Sequence, residues 1–321
     1  MKVLNFGSLN LDHTYQVPHI VAPGETLTSL GLAIHPGGKG LNQSVALAKA
    51  GAEVFHAGQI GEDGEMLRKV CADSGADVRF IRNVETRTGN AIIQVDTNGQ
   101  NCIILYPGAN RCMEKSFIDE VLGAFSEGDY LLLQNEINNL PYIIDSAYAK
   151  GMKIILNPSP MDDQVLACDL SKISMFILNE VEAGQLTGEK DPAKVLASMQ
   201  AKFPQAEIVL TLGAEGSVYA GKGRDPAAKI TPQKIYPCHA VDTTGAGDTY
   251  TGYFIAEYLK EQDPVRALSI ASMAASIAVS RGRSQCNPGT RGSTATSAAG
   301  IRKMKRKTSA LTCRSLFTRR K

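Results

Sequence analysis

The chain has 321 residues, a hydrophobic fraction of 43% and a formal net charge of +2. That is enough material for one large α/β domain, or two small ones, around a sizeable core. A balance so near neutrality gives no basis for nucleic-acid binding, and no apolar run approaches the roughly 18 residues that span a bilayer.

Along the chain, short β-rich runs alternate with helical patterns. Val3–Phe6 reads as a strand leading into Gly7-Ser8-Leu9-Asn10-Leu11-Asp12. A helical stretch over Asn42–Ala50, ended by Gly51, precedes a strand at Val54–Ala57. Ala91–Val95 and Cys102–Tyr106 flank Asp96-Thr97-Asn98-Gly99-Gln100, in which Asn-Gly is a strong hairpin signal. Tyr130–Gln134, Lys153–Leu156, Met175–Leu178 and Ile208–Leu212 are apolar strands with helical stretches between them. Continuous apolar strands separated by helices predict a parallel sheet covered on both faces. Residues 13–35 and 90–105 break the rhythm as extended, partly polar strands without intervening helices. They predict a small antiparallel sheet standing off the main domain; the alternative is edge strands of the main sheet. The cysteines at 71, 102, 112, 168, 238, 286 and 313 include no Cys-x-x-Cys pair and none beside a histidine at metal-ligand spacing. Their odd number in a long chain reads as reduced thiols in a cytoplasmic protein, without a zinc site. Met1–Phe6 is too short for the apolar segment of a signal peptide.

Several segments carry chemistry. Asn10 and Asp12 follow the first strand and Glu136 follows another, at the strand ends where open α/β sheets bind ligands. Together they suit a ligand with several hydroxyls; any one alone reads as a solvated loop residue. Pro36-Gly37-Gly38-Lys39-Gly40-Leu41-Asn42-Gln43 opens a helix but lacks the P-loop spacing. Its glycines admit a polyol near the backbone, and Lys39 and Asn42 offer donors, although the segment alone also reads as a tight turn into a helix. Asn179-Glu180-Val181-Glu182 opens another helix, where carboxylates either hold Mg²⁺, mostly through water, or complement the helix dipole. Thr211-Leu212-Gly213-Ala214-Glu215-Gly216 is a strand and turn suited to backbone contact with a nucleotide, or to a hairpin.

The run Asp242-Thr243-Thr244-Gly245-Ala246-Gly247-Asp248 precedes the helical pattern Thr249–Leu259. Free N–H groups and the dipole at a helix N-terminus make an anion site, and small residues let a phosphate approach. An Asp in the same turn can take a proton from a hydroxyl while those N–H groups stabilise a transferring phosphoryl group. As an isolated feature Asp248 would read as an N-cap.

In this order, these motifs resemble the ribokinase (PfkB-type carbohydrate kinase) family from about residue 3 to about residue 281. The resemblance also includes Gly58-Gln59-Ile60-Gly61-Glu62-Asp63-Gly64, Pro107-Gly108-Ala109-Asn110 and Asn157-Pro158-Ser159-Pro160. It implies a Rossmann-like α/β/α sandwich with a mostly parallel central sheet (1–12, 36–89 and 106–281) and a small β-sheet lid (13–35 and 90–105) that often forms a homodimer interface. It implies ATP, Mg²⁺ and an activating monovalent cation, usually K⁺. Carried over residue by residue, Asn10, Asp12, Gly38, Lys39, Asn42 and Glu136 bind the sugar. Asn179, Thr211 and Gly213 lie near the nucleotide, Glu182 near Mg²⁺, and Asp242 and Thr244 near the monovalent cation. Gly245, Ala246 and Gly247 form the anion hole, with Gly247 also touching the nucleotide, and Asp248 is the base. D-ribose is the first choice of sugar, with fructose, tagatose, deoxyribose or a nucleoside as alternatives. Two other readings are a relative impaired in catalysis by its altered tail, and a nucleic-acid binder acting through that tail. The second lacks a basic stripe or aromatic platform elsewhere.

The resemblance fails after Ser280-Arg281. From Arg302 to Lys321 there are nine Lys or Arg residues and no acid. Ser284-Gln285-Cys286-Asn287-Pro288-Gly289-Thr290-Arg291-Gly292-Ser293 can be encoded so that the frame one nucleotide on spells Val-Ser-Ala-Ile-Pro-Ala-Arg-Gly-Glu-Val, close to the family's Ser-Ile-Pro-like stretch. A frameshift after about residue 282, in the gene or its sequencing, is one explanation. The other is a genuine basic tail that is disordered or binds an acidic partner.

Overall fold

Why the apolar strands form one sheet is visible in the computed structural model, which describes residues 1–223 and 230–281. The basic tail, and with it the frameshift reading, lies outside the described residues. Strands are β1 (Val3–Phe6), β2 (Asn10–Gln16), β3 (Gly31–Gly37), β4 (Val54–Ile60), β5 (Asp77–Asn83), β6 (Gly89–Val95), β7 (Asn101–Tyr106), β8 (Tyr130–Gln134), β9 (Lys153–Asn157), β10 (Met175–Asn179), β11 (Glu207–Thr211), β12 (Ser217–Ala220) and β13 (Ile230–Gln233). Helices are α1 (Lys39–Lys49), α2 (Glu65–Asp73), α3 (Lys115–Gly123), α4 (Leu140–Ala149), α5 (Asp163–Leu166), α6 (Glu180–Thr187), α7 (Pro192–Lys202), α8 (Ala246–Glu261) and α9 (Pro264–Val279).

Nine strands make the main sheet, in the order β13-β12-β11-β10-β9-β8-β1-β4-β5, parallel except for β12 and β13. Side chains alternate across it. Leu4, Phe6, Leu131, Leu133, Phe176 and Leu178 face a core shared with α3 and α4. Val3, Leu132, Ile177 and Val209 face one shared with α1, α8 and α9. The chain leaves β1 toward β4 and β5 on one side and returns to build β8 to β11 on the other. The crevice at that reversal, beyond the strand C-termini, is where such sheets place ligands.

The second sheet has four strands in the order β3-β2-β6-β7 and is mixed rather than antiparallel as expected: β2–β3 and β6–β7 are antiparallel, but the central pair β2–β6 is parallel. Its β6–β7 hairpin turns at Asn98-Gly99, where Asp96 Oδ1 accepts the N–H groups of Asn98 at 2.8 Å and Gln100 at 2.9 Å. The strands reach further than the segments 13–35 and 90–105: β2 begins at Asn10 and β3 ends at Gly37. Asn10 and Asp12 therefore stand on a lid strand. The helix read from Asn42 begins three residues earlier, at Lys39. Contact explains the early start: a Cβ on Gly40 would lie 2.3 Å from Ser8 N and 2.5 Å from the Gly7 carbonyl carbon, so Gly40 lets α1 press onto the end of β1. Gly252 does the same in α8, where a Cβ would meet Ala46 Cβ at 2.4 Å and Leu47 N at 2.8 Å of α1. Among the described residues, Cys71, Cys102, Cys112, Cys168 and Cys238 are free thiols. No helix among them is long and apolar enough to cross a membrane.

Candidate active site

The C-terminal ends of β1 and β8 and the first turns of α1 and α8 face one crevice. Glu136, just past β8, accepts the backbone N–H of Lys39 at 3.0 Å and is also hydrogen-bonded by the Ser8 hydroxyl. Burial raises its carboxyl above the usual range, the Ser8 and Lys39 contacts oppose that rise, and the nearby Asp248 charge adds to it. Asn42 Nδ2 donates to Asp248 Oδ2 at 2.9 Å. One side of the crevice thus joins Lys39 and Glu136, and the next turn of α1 joins Asn42 to Asp248.

The lid strand completes this side. Asn10 and Asp12 are both buried. Asp12 lies across Gly37, whose added Cβ would stand 2.4 Å from the carboxylate, and Gly38 backs onto Asn10, its added Cβ 3.1 Å from the Asn10 N–H. Asn110 sets the direction of the Asn10 amide. Asn110 Oδ1 accepts Leu9 N at 2.9 Å, which fixes its Nδ2 toward Asn10 Oδ1 at 2.7 Å. The Asn10 amide nitrogen is then turned away from Asn110, as a donor for a ligand hydroxyl.

Asp248 occupies the first turn of α8 and is buried. Gly245 caps that helix in the left-handed conformation, at φ 71°. The Ala246 N–H is directed to the Thr243 carbonyl at 3.2 Å. Helix geometry gives the N–H of Gly247 no partner inside α8, and a Cβ on Gly247 would meet no atom within 4 Å. Of the three residues read as an anion hole, Gly247 is therefore the most open to a phosphoryl group.

The residues read as nucleotide-binding sit at the ends of β10 and β11, where Asn179 pairs with Thr211. Asn179 and Glu182 form a capping box on α6. Asn179 Oδ1 accepts the N–H groups of Val181 at 2.9 Å and Glu182 at 2.8 Å, and Glu182 Oε2 accepts that of Asn179 at 3.1 Å. Gly213 is exposed in the turn after β11. Asp242 Oδ1 accepts the N–H of Thr244 at 2.8 Å, and the N–H groups of Val241 and Asp242 bond the Val279 carbonyl at 2.7 and 3.1 Å. The loop before Asp248 thus hangs from the C-terminus of α9. Among the described residues no three His, Cys, Asp or Glu gather as metal ligands.

Four residues enter this site without a role assigned from the sequence: Ser8, Asn110, Gln43, whose Nε2 donates to Asp248 Oδ1, and Gln134, which donates to Gln43. Gln134 carried a signal. It is a polar residue ending the apolar strand Tyr-Leu-Leu-Leu-Gln, and Asn5 likewise interrupts Val-Leu-Asn-Phe, so both need buried partners.

A crevice that gathers amide and carboxylate side chains on one side of a buried carboxylate at a helix N-terminus, with strand-end turns on the other, fits a small-molecule phosphotransferase. The pfkB family of carbohydrate kinases matches residues 1–289, and this chain belongs to that family. The ribokinase of Haemophilus influenzae is 34% identical over 296 residues, covering 89% of this chain and 94% of that protein. The crystal structure of Cryptococcus neoformans ribokinase in complex with ADP superposes with a TM-score of 0.79 at 29% identity, covering 94% of this chain and 99% of the other. The Arabidopsis thaliana ribokinase structure, complexed with ribose and ATP, gives 0.77 at 25% identity, covering 94% and 97%. The fold and the sugar-kinase class read from the motifs both hold.

Proposed function

We propose that this chain transfers the γ-phosphoryl group of ATP to the primary hydroxyl of D-ribose, giving D-ribose 5-phosphate. The observation that carries this reading is the convergence of Asn10, Asp12, Lys39 and Glu136 with the Asn42–Asp248 pair on one crevice wall. Asn10 and Asp12 take the ring hydroxyls and leave the terminal CH₂OH beside Asp248. Asp248 accepts the hydroxyl proton as the oxygen attacks the γ-phosphorus, and the Gly247 N–H, with those of Gly245 and Ala246 around it, receives the charge on the transferring group. The expected loss for removing such a base is about 10²- to 10⁴-fold in kcat.

The nucleotide lies along Asn179, Thr211 and Gly213. Glu182 keeps one carboxylate oxygen outside its capping box, which suits Mg²⁺ held mainly by phosphates and water. Asp242 and Thr244 present hard oxygens suited to K⁺. When bound, these ions neutralise phosphate charge. The lid supports a homodimer: Ile34, Ile92 and Ile104 fall in one row across the sheet with His13, and the three isoleucines are exposed. Three aligned isoleucines left to solvent on one sheet face suit a second copy, and an Ile104→Asp chain should sediment as a monomer.

The deciding experiment is an ADP-release assay over pentoses, ketohexoses and nucleosides, with and without K⁺, with Asp248→Asn as control. Ribose should give the highest kcat/KM. Wild-type turnover by Asp248→Asn would remove Asp248 from the role of base, and a better ketohexose or nucleoside would overturn the choice of sugar.

A further inference from the structure

Behind Asp248, on the side away from the crevice, four buried polar side chains and the half-buried Asn157 are linked in series across α1 and the central strands. Gln43 Nε2 donates to Asp248 Oδ1 at 2.9 Å and to Asn157 Oδ1 at 2.9 Å. Gln43 Oε1 accepts from Gln134 Nε2 at 2.7 Å, and the same Nε2 donates to Asn5 Oδ1 at 3.0 Å. Asn5 Nδ2 donates to the Gly40 carbonyl and to Ser44 Oγ, both at 2.7 Å. Asn5, Gln43 and Ser44 are wholly buried, and Gln134 nearly so.

Such a chain has a direction, because an amide presents two donors at one end and an acceptor at the other. Two backbone carbonyls, which only accept, pin its ends. At one end Asn157 Nδ2 donates to the Ile177 carbonyl at 2.8 Å, so Asn157 turns its oxygen to Gln43. At the other end Gly40 holds the Asn5 nitrogen, so Asn5 turns its oxygen to Gln134. Both amide hydrogens of Asn5, of Gln134 and of Gln43 are used. Gln134 Oε1 is buried without a partner, so the two donor bonds of Gln134 outweigh the unmet need of its oxygen. Turning Gln134 over would set acceptor against acceptor on both sides, and turning Gln43 or Asn5 over would set acceptor against acceptor on one side and donor against donor on the other.

We propose that Gln43 is a positioning residue for Asp248, held with its N–H toward Oδ1 by the Asn5–Gln134 amide chain. This rests on the reading of Asp248 as the base. Its two oxygens are served differently. Asn42, half-buried at the pocket wall, holds Oδ2 and can exchange partners when a sugar enters. Gln43 is sealed inside and cannot, so it holds the carboxylate plane fixed while Oδ2 meets the substrate. Gln134 acts only through Gln43.

The test is a pair of near-isosteric variants and their combination, in the full-length chain, with ribose as the sugar. Gln43→Met should lower kcat about 10- to 100-fold while KM and the calorimetric Kd for ribose stay within about 3-fold, as for loss of transition-state alignment alone. Gln134→Met should lower kcat by about 3- to 10-fold, and the double variant should be no slower than Gln43→Met, because residues acting through one another are non-additive. Losses that multiply, or a ribose KM that rises as much as kcat falls, would overturn the proposal. Should Gln43→Met fail to fold, Gln134→Met decides alone, and unchanged kcat there sinks the idea. An inactive Asp248→Asn beside an unaffected Gln43→Met would reject only this inference, whereas an active Asp248→Asn would reject the underlying role of Asp248.

Discussion

On the proposed sugar side Asn42 and Asp248 meet at 2.9 Å although 206 positions separate them, whereas on the proposed nucleotide side Asn179 and Glu182 satisfy each other three positions apart. The same contrast runs through both halves. Ser8 with Glu136, Asn110 with Asn10 and Gln43 with Asp248 join distant elements. The capping box and the Asp242–Thr244 turn close within a few residues. Long-range side-chain bonds form only once the whole fold is in place, so the sugar half is stiff and shares the stability of the core. Local turns keep their shape with little help, and the nucleotide half can yield to a ligand without disturbing the sheet.

The strongest way to break this comparison is Asn110→Leu. It leaves the Leu9 N–H unpaired and frees the Asn10 amide, so kcat/KM for the sugar should fall about 100-fold while KM for ATP stays within about 2-fold. Steady-state kinetics in each substrate would show it, and an equal loss in ATP KM would mean that the two halves are one unit. Acid offers a second probe. His56 is wholly buried beside Ser44, and burial pushes its imidazole down to about 4, the Gly7 carbonyl opposing weakly. An unfolded histidine binds its proton near pH 6.5, so His56 favours the folded state fully above that value. That contribution, about 3 kcal/mol, is lost as pH falls from about 6.5 to 4. Hydrogen exchange across that range should open β1, β4 and α1 before α6, and His56→Asn should flatten the dependence. The smallest effect belongs to Glu182→Gln. An amide oxygen can keep the capping bond, so the melting temperature should hardly move, while KM for ATP at limiting Mg²⁺ rises by about 5-fold.

The same division explains what could be read in advance. The parallel sheet followed from apolar runs such as Tyr130–Leu133, and the β6–β7 hairpin from Asn98-Gly99. The place of Asp248 in the first turn of α8 followed from a small-residue turn leading into a helical pattern. Each of these signals lies within a few residues, where propensity and backbone geometry act. The amide chain through Asn5, Gln43 and Gln134 did not, because its meaning lies in which strands become neighbours. The start of α1 was placed late for a related reason: glycines at 38 and 40 argue against helix locally, and contact with Gly7 overrides them. Asn10 and Asp12 were read as residues following the first strand and not as members of the second sheet.

The two glycine contacts of α1 have a further consequence. Pressed onto β1 at Gly40 and onto α8 at Gly252, this helix cannot slide toward one neighbour without leaving the other. It carries Lys39 toward Glu136 and Asn42 and Gln43 toward Asp248, and so works as a common gauge between the two carboxylates. A methyl group at either crossing would miscalibrate both settings in one movement, and the error would reach affinity and turnover together.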